Sequence, residues 1–471
     1  MGIPSYFSYI IRNHMKILKK FSTQTHQFQH LYFDSNSIIY DSVREIETAG
    51  KMNPVLSENY QNISELVCSK LQKYIDEIRP SNTIYIAFDG VAPLAKMKQQ
   101  RNRRYQAVFM EKHGIVPKSI FGSCQILPGT DFMEFLSNYV NKHFEKNTNV
   151  IVSASDEPGE GEHKLFQYIR ENREKHLGQN TVIYGLDADL LMLSIFNKEA
   201  SNFFVYREAP EFAKSLNANL ENGASYILDI NLLCDSILVE MGCKYPHPAR
   251  IYDYAFICFM LGNDFLPHFP SLNIRTDGIY ILLTAYKETI GILKDTFIIA
   301  NGEIQWKQYQ KFVKRMAKGE GERISRNIPK MYGEVEAYIN GVEPGWEERY
   351  YKALGGSKED KVKDYERGMS WVYKYYVGES KESGWKSESN YGPLLKDLGV
   401  GVGVGVGVVE RKRESAYDKR TQLAYVLPED NEKYNFEYVF CKYFWEGHLI
   451  GKEISFEELE KKDLFFQNNK I

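Results

Sequence analysis

Apolar residues recur along the first 290 residues in two alternating rhythms. Short runs at His30–Phe33, Thr83–Phe88, Asn149–Ala154 and Thr181–Leu186 have the length and composition of strands. Between them lie longer stretches with helical spacing, such as Leu165, Phe166 and Ile169. This alternation predicts an α/β fold with a mostly parallel central sheet flanked by helices. "RIYDYAFICFML", residues 250–261, reads as a buried helix. "YGLDADLLML", residues 184–193, reads as buried strand, with Leu186 and Leu190 to Leu193 suited to an interior sheet. Two carboxylates, Asp187 and Asp189, interrupt it. In extended chain they point the same way, and a buried charge needs a partner or a metal.

The pattern changes along the chain and predicts boundaries at 1–285, 286–398, 399–416 and 417–471. The second segment is mixed, polar and aromatic. "GVGVGVGVV", Gly401–Val409, alternates like a strand, but its glycine content opposes that reading. With the basic "ERKRE" at 410–414 it reads as a low-complexity insertion. The last segment regains order around "FEYVFCKYFWEGHLI".

Composition narrows the function. A chain of 471 residues, 43% hydrophobic, can bury a large core. Its 59 basic and 62 acidic residues give a net charge of −3, so any polyanion site must be a local patch. The six cysteines (68, 124, 234, 243, 258 and 441) form no C-x-x-C, which argues against a zinc site or a disulfide framework. A reducing compartment is expected. No apolar run has membrane-spanning length, and no secretion signal opens the chain. Met1-Gly2 begins like an acylation signal, but Tyr6 stands where Ser or Thr is needed.

The candidate chemistry lies just beyond the strands, where open parallel sheets gather functional groups. Asp34 follows the first strand, Asp89 the second, Glu160 and Glu162 the third, Asp187 and Asp189 the fourth. Pro158-Gly159 would open a helix, placing both glutamates at a loop-to-helix junction. A seventh acid, Asp264, ends the predicted buried helix at a Gly-Asn break. Any one of these could be a helix cap or a turn residue. Seven on one edge cannot all stay ionised without cations. An oxygen-only ligand set favours Mg²⁺ or Mn²⁺ over zinc. Two such ions ~4 Å apart can activate a water and stabilise a leaving oxygen in phosphodiester cleavage.

"DGVAPLAKMKQQRNRRYQAVFMEKHG", residues 89–114, begins at one of these acids and continues as a basic helix. Lys96, Gln100, Arg103 and Arg104 share one arc of about 100° and could chelate a terminal phosphate. Lys98 and Arg101 point elsewhere and are expected to be solvated or to touch a nucleic-acid backbone. His163 is expected on a helix surface, and His268 in a structural role. No serine sits in a nucleophile motif.

Together, "MGIPSYF", "LYFDSNSIIY", "FDGVAPLAKMKQQRNRRY", "EPGEGEHK", "YGLDADLLML" and "GNDFLPHFPSL" resemble the XRN 5′→3′ exoribonucleases, in order over residues 1 to about 285. A weaker likeness runs through residues 365–398, "YDKRTQLAYVLPE" and "KYFWEGH". The resemblance implies a PIN/flap-nuclease-like core, with residues 286–398 completing a substrate channel and 417–471 packing on the core. It implies a processive, Mg²⁺-dependent enzyme acting on single-stranded RNA with a 5′-monophosphate. The implied metal ligands are Asp34, Asp89, Glu160, Glu162, Asp187, Asp189 and Asp264. The implied phosphate pocket is Lys96, Gln100, Arg103 and Arg104.

The chain also departs from the family. Tyr40 replaces a histidine that stacks on the terminal base, and Leu94 replaces a common arginine. Trp385 is the expected equivalent of the family's stacking tryptophan. A monomer acting in cytoplasmic RNA decay is the accompanying expectation. Two rival readings are a flap-type DNA nuclease and an inactive RNA-binding scaffold.

Overall fold

The four predicted strands lie side by side in a seven-stranded sheet and include one of its edges. The structure, a computed structural model, describes residues 2–22, 27–112, 114–208, 220–221, 223–327, 339–389, 391–399, 413–428 and 454–468. In chain order the strands are β1 (Leu18–Lys20), β2 (His30–Asp34), β3 (Ile84–Ala87), β4 (Val150–Ser153), β5 (Asn180–Tyr184), β6 (Asn202–Glu208) and β7 (Ser225–Asp229). Their spatial order is β1-β7-β6-β5-β2-β3-β4. Five strands from β4 to β6 run parallel; β7 and β1 close one edge antiparallel.

Register decides what the sheet can do. Asp34 pairs with Ala87, Ala87 with Ser153, and Phe33 with Tyr184. The carboxyl ends of β2, β3, β4 and β5 are therefore level, and the residues after them share one edge. Alternation along the strands feeds two cores. Tyr32, Tyr85 and Ile183 face one cluster, shared with the helices Gly161–Glu171, Ile230–Met241 and Arg250–Cys258. Leu31, Phe33, Ile84, Ile86, Val182 and Tyr184 face the other, under Asn36–Thr48, Tyr60–Ile78 and Asp131–Phe144.

One segment differs from its sequence reading. β5 stops at Tyr184, and Asp189–Phe196 is a helix. Asp187 and Asp189 thus lie in a strand-to-helix turn, not in extended chain. All of Asp189–Ile195 is buried, so no periodicity separated strand from helix. Asp189 opens the helix, where the macrodipole favours a carboxylate. Gly185 makes the turn possible: a Cβ there would lie 2.2 Å from Leu190 Cδ1.

Arg250–Cys258 and a following 3₁₀ turn, Phe259–Leu261, match the predicted buried helix. Tyr309, Phe312, Trp371, Val372, Trp385 and Leu395 join the first core, so residues 286–398 share their main core with the sheet domain. The helices Lys419–Val426 and Phe456–Asn468 pack beside the basic helix, where Tyr425, Val426 and Leu459 cluster with Leu94 and Met97. The Gly401–Val409 stretch and residues 436–450, with Cys441, lie outside the described residues. Among the described residues, Cys68, Cys124, Cys234, Cys243 and Cys258 are free thiols, and no helix is long and apolar enough to cross a membrane.

Candidate active site

The acids meet at the level strand ends. Asp34 closes β2, and Asp89 follows β3. Asn36 fixes Asp89 reciprocally: its Nδ2 donates to Oδ2 (2.5 Å), and its Oδ1 accepts from the Asp89 N–H (3.1 Å). Glu160 sits at the N-cap of Gly161–Glu171, and Glu162 lies in its first turn. The Gly161 N–H donates to Asp89 Oδ1 (2.7 Å). Gly161 must be small here, because a Cβ would stand 3.0 Å from Asp34 Oδ1. Lys164 ties the two neighbouring strand ends together, donating to the Phe88 carbonyl (2.9 Å) and the Ala154 carbonyl (2.7 Å).

Asp34, Glu162 and Asp187 each offer an oxygen within 4.8 Å of the others. Glu160, Glu162 and His163 form a second such group. Asp264 arrives from the end of the buried helix and meets Lys96, whose Nζ lies 2.8 Å from Asp264 Oδ2 and 2.5 Å from Glu160 Oε2. All seven predicted acids therefore belong to one edge.

The electrostatics are those of a crowded site. Burial, then Asp89 and Asp187, push the Asp34 carboxyl well above its ordinary range. Burial and Asp189 do the same to Glu162. Burial raises Asp189 to about 6. Burial also raises Glu160, although Lys96 opposes it. Asp264 and Asp187 are the exceptions, both lowered although burial would raise them; the Lys96 ammonium holds Asp264 well below the usual carboxylate range. Glu162 Oε2 is buried without a hydrogen-bond partner. A buried, orphaned carboxylate oxygen among repelling carboxylates fits a hard divalent cation.

The basic helix spans Leu94–Lys112 and starts directly after Pro93. Its predicted arc grades from the buried Lys96 and Gln100 to the partly exposed Arg103 and Arg104. Arg103 Nη2 lies 3.5 Å from Asp264 Oδ1. Arg103 Nε, Arg104 Nε and Gln100 Oε1 have no hydrogen-bond partner. Lys96 differs from expectation: its ammonium is committed to Glu160 and Asp264, so it joins the basic arc to the acidic edge. Tyr40 stands at the exposed end of the arc, its hydroxyl accepting from Arg104 Nη2 (2.9 Å).

Other expectations need correction. Trp385 is 2% exposed and packs against Trp371 at 4.8 Å between ring centroids. A Cβ on Gly368 would stand 2.7 Å from its ring. Trp385 is thus a core residue and offers no open face to a base. Arg101 is not solvated; it donates to the Tyr425 carbonyl and stacks on Tyr105 and Tyr425, anchoring the Lys419–Val426 helix. Lys98 donates to the Ser387 carbonyl (2.8 Å). His163 does not project from a surface: its ring lies 3.8 Å from that of Tyr375, and dry surroundings hold it well below its ordinary pKa. His268 is buried enough to fall to about 4, as a structural residue would.

Two residues escaped the sequence reading. Tyr375 donates to Glu160 Oε1 (2.8 Å), and Tyr376 donates to Asp189 Oδ1 (2.5 Å). Both lie on the Lys358–Val377 helix, so the 286–398 segment reaches the acids directly. The only local signal was adjacent tyrosines in an aromatic run, which core packing explains equally well.

Comparison with known proteins gives matches over much of the chain. Residues 1–209 match the family described as "XRN 5'-3' exonuclease N-terminus", and residues 247–331 match "Xrn1 helical domain". The chain is 33% identical over 341 residues to 5'-3' exoribonuclease 1 of Saccharomyces cerevisiae, covering 65% of this chain and 22% of that protein. It is 29% identical over 365 residues to 5'-3' exoribonuclease 1 of Schizosaccharomyces pombe (69% and 27%). It is 27% identical over 412 residues to 5'-3' exoribonuclease 2 of Arabidopsis thaliana (68% and 40%). The matches thus span between about a fifth and two fifths of these relatives. Among solved structures, the catalytic core of Rad2 in complex with DNA aligns at 12% identity and a TM-score of 0.38, covering 80% of this chain and 86% of that one. At that score the likeness carries no argument. On the two family matches, the chain belongs to the XRN 5′→3′ exonuclease family.

Proposed function

We propose that this chain is a 5′→3′ exoribonuclease that degrades single-stranded RNA bearing a 5′-monophosphate and releases nucleoside 5′-monophosphates. One observation carries the reading. Guanidinium donors without partners on Arg103 and Arg104 share a helix face on which Arg103 reaches Asp264, at the border of the crowded carboxylates. A site that binds a terminal phosphate one nucleotide away from a hydrolytic centre removes nucleotides singly from that end.

Asp34, Glu162 and Asp187 would hold one divalent cation, with Asp89, Glu160, Asp189 and Asp264 available on the same edge for a second. Mg²⁺ is the natural occupant, and Mn²⁺ has the same ligand preference. Divalent cations there supply Lewis-acid stabilisation of the phosphoryl oxygens and make water acidic enough to attack. The chain's own groups do the rest. Arg103 and Arg104 grip the 5′ phosphate through charge-assisted hydrogen bonds and so set the register. Tyr40, whose ring is partly exposed, stacks the first base. Tyr375 and Tyr376 fix the orientation of Glu160 and Asp189. We place the enzyme, as a monomer, in cytoplasmic RNA decay; imaging of a tagged full chain tests the compartment.

The activity is tested with two end-labelled RNAs of one sequence, carrying 5′-monophosphate or 5′-hydroxyl, in Mg²⁺ or EDTA. Stepwise mononucleotide release from the monophosphate alone, abolished by EDTA, is expected. Cleavage at internal or flap positions without a phosphate requirement would instead establish a flap-type nuclease. Tight RNA binding without turnover would establish a scaffold.

A further inference from the structure

We infer that Arg207 is a positioning residue of the acidic edge, acting through a strap formed by the first residues of the chain. Arg207 lies near the carboxyl end of β6, beside the β5 end that leads to Asp187. Its guanidinium carbon sits 3.5 Å from the centre of the Phe7 ring. Its Nε is buried with no hydrogen-bond partner. Burial lowers its pKa to about 10, and the Asp187 carboxylate works against that fall. The sequence reading gave it no role.

Phe7 lies on the Tyr6–Asn13 helix, and the segment before that helix passes against Asp189. Gly2 has φ +54° and passes so close to Asp189 that a Cβ would lie 2.0 Å from Oδ1. That oxygen also accepts from Tyr376. Asp189 is therefore held between Tyr376 and the strap backbone. Three contacts fix the strap: Arg207 on Phe7, Arg275 Nε donating to Ser5 Oγ (3.1 Å), and Tyr6 donating to the Tyr254 hydroxyl (3.1 Å). Ser5 itself has φ +64°, a conformation a non-glycine residue adopts only when its surroundings hold it there. Of the three contacts, the Arg207 stack is the one made from β6, beside the strand end that leads to Asp187. It couples the placement of both turn aspartates.

The inference rests on the nuclease reading, so its test needs a readout independent of RNA cleavage. Arg207→Lys keeps the charge and removes the planar stack. Phe7→Leu removes the ring and keeps the apolar bulk. Phe7→Trp keeps a cation–π surface and is the conservative control. Mn²⁺ binding to the full chain is measured by electron paramagnetic resonance, and RNA turnover is measured separately.

The positioning role predicts that Arg207→Lys and Phe7→Leu each weaken Mn²⁺ binding about ten-fold. Each also lowers kcat by a similar factor, with KM for 5′-monophosphate RNA little changed. The double variant should be no worse than either single one, because both break one contact. Phe7→Trp should retain wild-type values. Unchanged Mn²⁺ affinity with a raised KM would overturn the inference and make Arg207 an RNA-backbone contact. Fully additive losses in the double variant would overturn it too. If wild-type protein binds Mn²⁺ but cleaves no RNA, the nuclease reading fails, while the Mn²⁺ comparison still decides the role of Arg207.

Discussion

Two of the places where the chain buries charge are built in opposite ways. On the Arg250–Cys258 helix, Arg250 is 1% exposed and spends its donors on the carbonyls of Tyr245 (2.8 Å), Leu293 (2.9 Å) and Thr296 (3.2 Å) and on the Tyr286 hydroxyl (2.9 Å). Tyr286 passes the interaction on, donating to Asp253 Oδ2 (2.5 Å). Asp253 also accepts from the N–H groups of Ile298 (2.9 Å) and Ile299 (2.6 Å). That network is closed: every acceptor oxygen of the acid is used. At the strand ends, by contrast, carboxylates face carboxylates, Glu162 Oε2 has no partner, and Arg103 and Arg104 keep unused donors. Burial of charge is common to both. Crowding of carboxylates combined with incomplete pairing marks the second as a place for something from outside to bind.

The largest expected effect of this difference is on catalysis. Asp187→Ala combined with Asp189→Ala should lower the single-turnover rate of RNA cleavage at least ~10³-fold, since metal-based stabilisation supplies several kcal/mol. The melting temperature of the metal-free protein should not fall, because the change relieves repulsion. A large loss of stability instead would make the acidic edge structural and erase the contrast.

The closed network should behave in the reverse sense. Arg250→Met leaves the buried Tyr245, Leu293 and Thr296 carbonyls without their donor and should cost about 3–5 kcal/mol in urea unfolding. The cleavage rate per folded molecule should stay within about two-fold of wild type. A selective loss of rate would show that the two regions are coupled.

A smaller effect is expected at the basic arc. Arg103→Ala with Arg104→Ala removes charge-assisted hydrogen bonds worth about 1.5–3 kcal/mol. KM for 5′-monophosphate RNA should rise about 10–100-fold with kcat nearly unchanged, narrowing the preference over 5′-hydroxyl RNA. Equal losses on both RNAs would assign these arginines to the RNA backbone in general.

The smallest effect is a pH dependence of stability. Asp34, Glu160, Glu162 and Asp189 have raised carboxyl pKa values, Asp189 at about 6. Between about pH 4 and 6 the native state then binds more protons than the unfolded chain, so stability falls as pH rises through that window. Asp264 and Asp187 have the opposite sign: both are lowered, so what they contribute is present above about pH 4 and is lost in acid. The net fall in metal-free protein should be on the order of 2 kcal/mol. Asp189→Asn should flatten it, as read by thermal unfolding across pH. A metal-free protein whose stability rises from pH 4 to 6 would contradict the crowding argument.

Much of this site was legible in the sequence, for a physical reason. In a parallel sheet the strand ends are level, so acids just beyond short apolar runs must converge. Asp34, Asp89, Glu160, Glu162 and Asp187 were found that way. What escaped depends on contacts between distant segments. Tyr376 lies 187 residues from Asp189, and Lys96 lies 168 from Asp264. Local spacing carries neither pairing. The Asp189–Phe196 helix was missed because a wholly buried helix and a buried strand share the same apolar signature. Arg101 and Trp385 misled in a related way: charge and aromatic surface suggest exposure, but each is consumed by packing against another segment.

The central claim is that the strand-end carboxylates are crowded together because they hold divalent cations. The most direct measurement is a Mn²⁺ titration at pH 7 without RNA, following bound ion by electron paramagnetic resonance and stability by thermal unfolding. The account predicts saturable binding that raises the melting temperature of the wild-type protein, and neither effect in the Asp187→Ala/Asp189→Ala variant. No binding to wild type, or identical binding and stabilisation in the variant, would contradict it.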